Sequence, residues 1–497
     1  MKKLLILGSM MGLLFTTTSC RDEFLESEPT ETLANPPAQA KLNGLYLMMV
    51  NTGTGGTTGH DDYGQKGYDL TADLLSGDMV LSGVTYGWYR NIANLTATTD
   101  FTNNSNYMPW RYYYRIAYAA NDVIAGLGGN DFVPATAGDK ASMGQAKAMR
   151  AYAYFYLTQY FTTKYDPASP AIPLYTDTGV AAKPKALQSE IYAQIVKDLS
   201  EAVTLLNGFS RANKGMINQD VAKGLLAYTY AAMGDNAKAA SLSLELIAKF
   251  PKTTAGELVF DEASAKGGGF NDLATPSWMW GFDLTLANDL DLISWWGQLD
   301  ITTYSYSWVG DAKSIDLDLY SAMRADDIRR NQFRSVNETA SGFTTAPADA
   351  AGTFDYPAVP VNKFFDPART IGGQRIVITD YLYMRVDEFH LLAAETLAKS
   401  GNEAQARTVL SSFLANRVAD TSYISGLSGT ALLNEIYLQT RIELWGEGKS
   451  YLAMKRNKAT VKRGPNHLFF AGQTFNSDDD RLTYDIPQAE INNNPNF

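Results

Sequence analysis

Aromatic residues are concentrated in one stretch of the chain, where they could bind a sugar. Five of the eight tryptophans lie between positions 278 and 308, and they are Trp278, Trp280, Trp295, Trp296 and Trp308. A pyranose ring presents a face of C–H groups that packs against an aromatic ring, while its hydroxyl groups need polar side chains at the edge. Polar neighbours are Asn288, Asp289, Asp291, Gln298, Asp300 and Asp311. We therefore predict Trp296, Tyr304, Tyr306 and Trp308 as ligand-binding residues.

A smaller group with the same mixture of rings and polar groups comes earlier in the chain. Tyr86, Trp88 and Asn91 lie close together in sequence, and Asp78 precedes them by a few residues. We predict these four residues as a further part of a carbohydrate site. An alternative stays open for every ring, because aromatic side chains also pack irregular segments against the rest of a fold.

The sequence lacks the signatures of an enzyme. The three histidines, His60, His390 and His467, are far apart, and none has the spacing of a metal site. The chain has no G-x-S-x-G motif. We predict a protein that is not an enzyme and uses no metal or cofactor. A helical glycoside hydrolase stays open as an alternative, because its two carboxylates are defined by their separation in space and 53 acidic residues offer many pairs.

The single cysteine, Cys20, follows a sequence typical of a lipoprotein leader. Lys2 and Lys3 precede an apolar run at residues 4–15, and small residues lead up to the cysteine. This run is shorter than the roughly 20 residues that a membrane-spanning helix needs. We predict that residues 1–19 are a lipoprotein signal peptide and that acylated Cys20 anchors the mature chain to a membrane without spanning it. The alternative is an ordinary secretory leader with a chance cysteine.

The chain is acidic, which limits its partners. Its formal net charge is −11, and it becomes −13 when the two lysines of the leader are removed. A protein that binds nucleic acid needs a basic surface, so we exclude that class. Residues 20–36 are acidic and lack periodicity, which predicts a tether between the anchor and a folded body. Because Cys20 is the only cysteine, no disulfide within the chain can form and packing must stabilise the fold.

Helical periodicity dominates the first half of the predicted body. Apolar and aromatic residues recur at spacings of three and four between Trp110 and Ile124. Comparable patterns follow at residues 144–161 and 189–206. These segments predict three long helices with apolar faces.

Two later segments have the residue spacing of a tetratricopeptide repeat. Small and large residues recur at the expected offsets in residues 223–251 and again in 393–413, with Gly234 and Gly401 in the predicted turns. We predict a mostly α fold built on a tetratricopeptide-like helical-repeat scaffold. Plain helical hairpins without solenoid geometry are the alternative.

The helical period is lost over residues 255–380, which are rich in glycine, aspartate, threonine and aromatic residues. This stretch is too long for a simple loop, so we predict an irregular region of loops and short strands packed on the scaffold. The whole body, residues 37–497, is predicted to be one domain. Its helical part spans 37–254 with a loop at 50–106, and a C-terminal repeat and closing segment span 381–497.

These motifs together resemble the SusD/RagB family over essentially the whole chain. Cys20 followed by RDEFLESEP is similar to the family's opening, and PWRYYYRIAYAANDVI at 109–124 to its W-x-x-x-Y-x-x-I-x-x-A-N motif. MRAYAYFYLTQYF and AIPLYTD at 149–161 and 171–177 continue the resemblance. RIELWGEGKSYLAMKR at 441–456 and TYDIPQAEINNNPN at 483–496 complete it.

The resemblance implies a surface lipoprotein of the outer membrane that captures a polymer and delivers it to a SusC-like TonB-dependent transporter. An oligosaccharide is the predicted ligand, and a peptide, as in the RagB branch, is the alternative. In the family, binding sites commonly draw on the loops after the first helices and on the inserted region. In this chain those segments contain Trp88 and the tryptophan-rich stretch.

Overall fold

The computed structural model describes residues 36–303, 305–339, 342–344, 355–370 and 376–497. Seventeen α-helices form within these residues. They are α1 (Ala38–Leu47), α2 (Gln65–Leu75), α3 (Arg90–Ala93), α4 (Thr96–Thr99), α5 (Asn104–Gly126), α6 (Ala137–Phe161), α7 (Gln188–Leu205), α8 (Gln219–Met233), α9 (Asn236–Lys249), α10 (Ala255–Leu258), α11 (Trp295–Leu299), α12 (Leu317–Ala322), α13 (Asp387–Lys399), α14 (Glu403–Leu414), α15 (Gly429–Glu443), α16 (Ser450–Asn457) and α17 (Gln488–Asn493). Short 3-10 helices span Leu286–Asn288, Ile328–Gln332, Ser422–Gly426 and Asp480–Leu482.

The longer helices stack side by side into one layered scaffold. Each helix from α5 to α9 packs against the next, α9 packs against α13, and α13 packs against both α14 and α15. Helix α6 lies at the centre, and every residue from Ala141 to Phe161 is buried. Many of its buried residues are tyrosines, and Tyr156 stacks on Tyr113 of α5 with ring centroids 5.4 Å apart. Much of the aromatic content of the chain therefore builds the core.

Both predicted repeats form helical hairpins. Helices α8 and α9 are separated by Gly234, and α13 and α14 are separated by Gly401. Each glycine has a φ of +81°, a left-handed conformation that costs glycine little and other residues much more. The predicted fold class, a mostly α tetratricopeptide-like scaffold, is confirmed.

The strands are short and form small antiparallel sheets. Their bounds are β1 (Met79–Leu81), β2 (Pro170–Pro173), β3 (Lys185–Leu187), β4 (Phe260–Asp261), β5 (Lys266–Gly267), β6 (Trp278–Phe282), β7 (Lys313–Ile315), β8 (Arg334–Thr339), β9 (Gly342–Thr344), β10 (Tyr356–Val359), β11 (Tyr381–Arg385), β12 (Thr460–Lys462) and β13 (Thr474–Asn476). The pairs are β1–β7, β2–β3, β4–β5, β6–β11 and β12–β13, and β10–β8–β9 form a three-stranded sheet.

The pairing of β1 with β7 joins two distant parts of the chain. Leu81 lies opposite Lys313, and Met79 lies opposite Ile315. The loop that leaves β1 therefore starts beside the segment that enters β7. This register places the segment that contains Trp88 next to the segment that contains Tyr306.

Eight buried charged residues join the irregular region to the C-terminal helices, and together they form the buried charge cluster. Glu443, at the end of α15, accepts hydrogen bonds from three arginines: Arg329 at 2.9 Å, Arg385 at 2.8 Å and Arg417 at 2.7 Å. Four cations face four carboxylates in the cluster. Its members are Arg329, Lys363, Arg385, Arg417, Asp327, Asp387, Glu443 and Glu447. Equal numbers of each sign reduce the cost of burying these charges.

The predicted signal peptide, Cys20 and residues 21–35 of the tether lie outside the described residues. Within the part of the chain that is described, no helix combines the length and the apolar character needed to cross a membrane.

Candidate ligand-binding site

Four rings from three separate segments meet near the surface and form the aromatic cluster: His60, Tyr86, Trp88 and Tyr306. The imidazole of His60 stacks on the indole of Trp88, with centroids 4.9 Å apart and planes inclined by 11°. Tyr306 lies edge-on to both Tyr86 and Trp88, with centroids 5.4 and 6.1 Å away. The structure thus joins residues from both predicted groups, together with a histidine that was not predicted.

One ring of the aromatic cluster is buried, and the others are partly or largely exposed. Tyr306 is buried, and its hydroxyl forms a hydrogen bond with Nδ1 of His60. His60 and Trp88 are partly buried, whereas Tyr86 is 61% exposed. The residue after Trp88, Tyr89, has a φ of +66°, an uncommon conformation for a side chain with a Cβ that persists only where surrounding contacts impose it. The ring contacts of Trp88 and this backbone conformation thus constrain the orientation of its indole.

A close approach of two backbones holds the loop of Tyr86 and Trp88 in place. A Cβ atom on Gly83 would lie 1.9 Å from the carbonyl oxygen of Gly310, so only glycine allows this contact. The buried carboxylate of Asp311 accepts hydrogen bonds from the backbone N–H groups of Tyr86 and Gly87, at 3.0 and 3.1 Å. Asp311 thus positions the loop instead of facing a ligand.

Replacing Asp311 by alanine should lower the affinity for ligand roughly tenfold, because bonds between N–H groups and a buried carboxylate fix the loop that presents Tyr86 and Trp88. Isothermal titration calorimetry would measure the change. Asp283→Ala removes an exposed acid from the same region and should leave the affinity unchanged. Equal affinities of Asp311→Ala and the wild type would contradict this positioning role.

The loop before α2, which carries His60, is organised by a buried aspartate. The carboxylate of Asp62 accepts hydrogen bonds from the backbone N–H groups of Gly55 and Thr57, at 2.7 and 3.0 Å. The backbone oxygen of His60 accepts a bond from the side chain of Gln298, at 3.5 Å. This loop is therefore tied both to itself and to α11.

A surface cavity of about 900 Å³, the site cavity, lies beside the aromatic cluster. Trp88 and Asn91 line it, together with Arg111 and Arg115 of α5. Hydroxyl groups of the loop before α2 and backbone groups of its glycines complete the wall. An aromatic ring with amide, hydroxyl and guanidinium groups around it matches what a sugar requires.

Two titratable groups with displaced pKa values lie at this cavity or close to it. Burial raises the pKa of Asp61, which lines the cavity, to about 6, and the nearby Asp62 contributes in the same direction. Burial lowers the pKa of Lys313 to about 7, although Asp311 and Asp61 oppose that change. The ammonium of Lys313 donates a hydrogen bond to the backbone oxygen of Asp311, at 2.9 Å. Lys313 therefore supports the segment that carries Asp311.

Two predicted ligand-binding residues lie in the interior, and their prediction was wrong. The indole of Trp296 is 1% exposed and donates a hydrogen bond to the backbone oxygen of Thr379 at 2.6 Å. Asp78 is fully buried and pairs with Arg441 at 2.6 Å. Neither side chain presents a surface to a ligand, because the surrounding fold covers it.

The rest of the tryptophan-rich stretch mainly supports the packing alternative. Trp278, Trp280 and Trp295 are buried. Trp308 is partly buried and packs against a small apolar group that includes Val336. Tyr304 lies outside the described residues. Tyr306 is the described residue of this stretch that belongs to the aromatic cluster.

Sequence reasoning missed His60, Arg111 and Arg115. The spacing of His60 to the other histidines indicates only the absence of a metal-site motif, and it carries no information on a ring stacked on a tryptophan. The arginines lie on the solvent side of α5, whereas helical periodicity identifies the apolar face. Their spacing of four residues, which places both on one helix face, was the available signal.

Two family models match the chain. One, described as starch-binding associating with outer membrane, matches residues 23–230, and the model of the SusD family matches residues 300–497. A curated relative, SusD-like protein P25 of Formosa agariphila, is 24% identical over 215 residues. That match covers 41% of this chain and spans 38% of the relative's length.

Solved structures with a similar fold cover nearly the whole chain. A SusD-like carbohydrate binding protein from Bacteroides vulgatus is similar with a TM-score of 0.75 and 23% identity, over 93% of this chain and 96% of that one. Surface glycan-binding protein A from Bacteroides thetaiotaomicron, solved in complex with laminarihexaose, is similar with a TM-score of 0.66 and 16% identity, over 92% and 97% of the two chains. At these identities the similarity establishes the fold.

Proposed function

The chain belongs to the SusD family, and on that premise we propose that it is a glycan-binding protein whose site cavity captures an oligosaccharide. The observation that carries the proposal is the position of Trp88. Its indole is held by stacking on His60, and it lines a cavity of about 900 Å³ among amide, hydroxyl and guanidinium groups. A flat apolar ring with polar groups around it suits a sugar better than an apolar ligand.

Capture requires no covalent chemistry. One face of a sugar packs against an aromatic ring, and Asn91 and neighbouring polar groups bind its hydroxyls. Because Asp62 and Asp311 hold the loops in place, little conformational entropy is lost on binding. The two structural relatives described above are named as binding proteins, which supports a role without catalysis.

The same proposal includes attachment to the outer membrane through acylated Cys20 and delivery of the oligosaccharide to a SusC-like TonB-dependent transporter. The family model that matches residues 23–230 is described as associating with outer membrane, which supports this location. Full-length protein should fractionate with outer membranes and co-purify with such a transporter, whereas Cys20→Ala should appear in the soluble fraction. A Cys20→Ala protein that stays in the membrane fraction would refute the lipid anchor.

Calorimetry against a panel of oligosaccharides and peptides tests the central proposal. We expect saturable binding to at least one oligosaccharide, without new reducing ends after long incubation. Turnover would instead indicate a glycoside hydrolase, and binding restricted to peptides would indicate a peptide-capturing protein. Either result would overturn the proposal.

A further inference from the structure

Two arginines of α5 form a wall shared by two cavities. Arg111 and Arg115 are four residues apart, are both exposed, and line the site cavity. They also line a second cavity of about 700 Å³, which continues along α5 towards Tyr118 and Tyr175. The two cavities therefore lie next to each other, and their common wall carries two positive charges.

Neither arginine has an acidic partner. Within the described residues, Arg115 donates to the backbone oxygen of Thr54 at 2.9 Å, and neither Arg111 nor Arg115 forms an ion pair. Their guanidinium groups therefore lack a carboxylate partner among the described residues, although the chain has a formal net charge of −11. They provide charge that a ligand can use.

The acids around these cavities are largely engaged elsewhere. Three acids line the second cavity: Asp122 pairs with Lys41 at 2.9 Å, Asp177 accepts a hydrogen bond from Asn130 at 3.0 Å, and Glu490 accepts one from Asn494 at 2.7 Å. Asp61 is the only acid among the residues that line the site cavity. Arg111 and Arg115 are the only cationic residues among the described residues that line the two cavities, so an anionic group of a ligand meets positive charge at their shared wall.

The loop before α2 is shaped to leave room for one of the arginines. Gly56 has a φ of +89°, and a Cβ atom on it would lie 2.3 Å from Nη1 of Arg111. A side chain at position 56 would thus displace either the loop or the guanidinium. The glycine keeps Arg111 in contact with the loop and at the cavity wall.

We propose that Arg111 and Arg115 bind an anionic group of the oligosaccharide, a carboxylate or a sulfate ester, and that the ligand continues past them into the second cavity. The inference rests on the proposed function and specifies its ligand as an acidic glycan. A guanidinium group donates two parallel hydrogen bonds to such planar or tetrahedral oxygen groups, a geometry that lysine does not offer. In the second cavity, the 61% exposed ring of Tyr118 provides a further apolar surface for a sugar.

Calorimetry with three defined probes tests the anionic group: oligogalacturonate, a sulfated galactan oligosaccharide and neutral laminarihexaose. We expect one acidic probe to bind more tightly than the neutral probe, and the double variant Arg111→Gln, Arg115→Gln to weaken that binding roughly tenfold or more. The difference in affinity between the acidic and the neutral probe should shrink in 0.5 M NaCl, because salt screens exposed charges. Whichever acidic probe binds identifies the group as carboxylate or sulfate.

A matched control is Arg90→Gln, which removes an exposed arginine that lies near Trp88 in sequence but does not line either cavity. It should leave the affinity unchanged. Tight binding of the neutral probe alone, or an acidic probe whose affinity the double variant does not alter, would overturn the inference while leaving glycan binding intact. Failure of every oligosaccharide to bind would instead remove the proposed function and this inference together.

The length of the ligand is tested separately with Tyr118→Ala. This variant should weaken binding of long acidic oligosaccharides and leave short ones unaffected, because only long ligands reach the second cavity. No effect on either ligand would show that the ligand ends at the arginines. Equal weakening of short and long ligands would show that short ligands already contact Tyr118, which would contradict the proposed dependence on length.

Discussion

Replacing Trp88 by alanine should lower the affinity for oligosaccharide about 30-fold or more, with little effect on the stability of the free protein. A ring that anchors a ligand typically contributes at least about 2 kcal/mol, and each 1.4 kcal/mol corresponds to a factor of ten. Trp88 is partly exposed, lines the site cavity and packs at the edge of the core, so its loss removes ligand contacts and fewer core contacts than the loss of a fully buried tryptophan. Calorimetry for affinity and thermal unfolding for stability measure the two effects.

Two other aromatic residues serve as controls for this prediction. Phe132 is 50% exposed and does not line the site cavity, so Phe132→Ala should change neither quantity. Trp296→Ala should show the opposite pattern to Trp88→Ala: a loss of roughly 3–5 kcal/mol in the free energy of unfolding, and an unchanged affinity of the protein that still folds. If Trp88→Ala binds as tightly as the wild type, the site lies elsewhere.

Replacing Glu443 by glutamine should lower the free energy of unfolding by about 3–5 kcal/mol, the cost expected when one partner of a buried ion pair is removed. Glu443 is buried and contacts Arg329, Arg385 and Arg417. Its replacement leaves four cations facing three carboxylates in an interior that water does not reach. Urea unfolding, monitored by tryptophan fluorescence, measures the change.

The pH dependence gives the Glu443 prediction a second readout. The neighbouring arginines hold the pKa of Glu443 well below its usual value of about 4.5, although burial opposes them. The unfolded chain therefore binds a proton at this position near pH 4.5, whereas the folded chain does not. This contribution to stability is complete above pH 4.5 and is lost as the pH falls towards the lower pKa of the folded state. Glu443→Gln should lack this part of the acid sensitivity.

Two further substitutions keep the Glu443 prediction testable if the glutamine variant does not fold. Glu443→Asp retains the charge and should destabilise less than Glu443→Gln. Glu245→Gln removes a carboxylate that is 51% exposed and pairs with Lys223 at the surface, so it should cost at most about 1 kcal/mol. Comparable losses for Glu245→Gln and Glu443→Gln would show that the buried charge cluster contributes little.

The helical scaffold was predictable because its signals are local. The spacing between Trp110 and Ile124 falls within α5, and Gly234 and Gly401 lie in the turns where the repeat pattern placed them. Helical periodicity and left-handed turn residues act over a few positions, so a single sequence is sufficient to read them. The loss of this periodicity after residue 254 likewise pointed to short strands and loops.

The candidate site was only partly predictable, because exposure depends on contacts between distant segments. The density of tryptophans indicated a sugar-binding stretch, yet Trp296 lies in the core and mainly Tyr306 of that stretch reaches the aromatic cluster. Trp88 and Tyr86 were selected for their mixed surroundings, and as ligand-binding residues they stay predictions. His60 joins them through a fold-dependent stack that no spacing in the sequence reveals.

The sequence by itself determined the class of scaffold, the family and the types of side chain available for binding a sugar. The tertiary structure decided which of those side chains meet. The pairing of Leu81 with Lys313 brings the loop of Trp88 to Tyr306, and the shared wall of Arg111 and Arg115 exists because two loops pack against one helix. The physical reason is range: helix formation depends on neighbours along the chain, whereas burial and the meeting of side chains depend on residues far away in sequence.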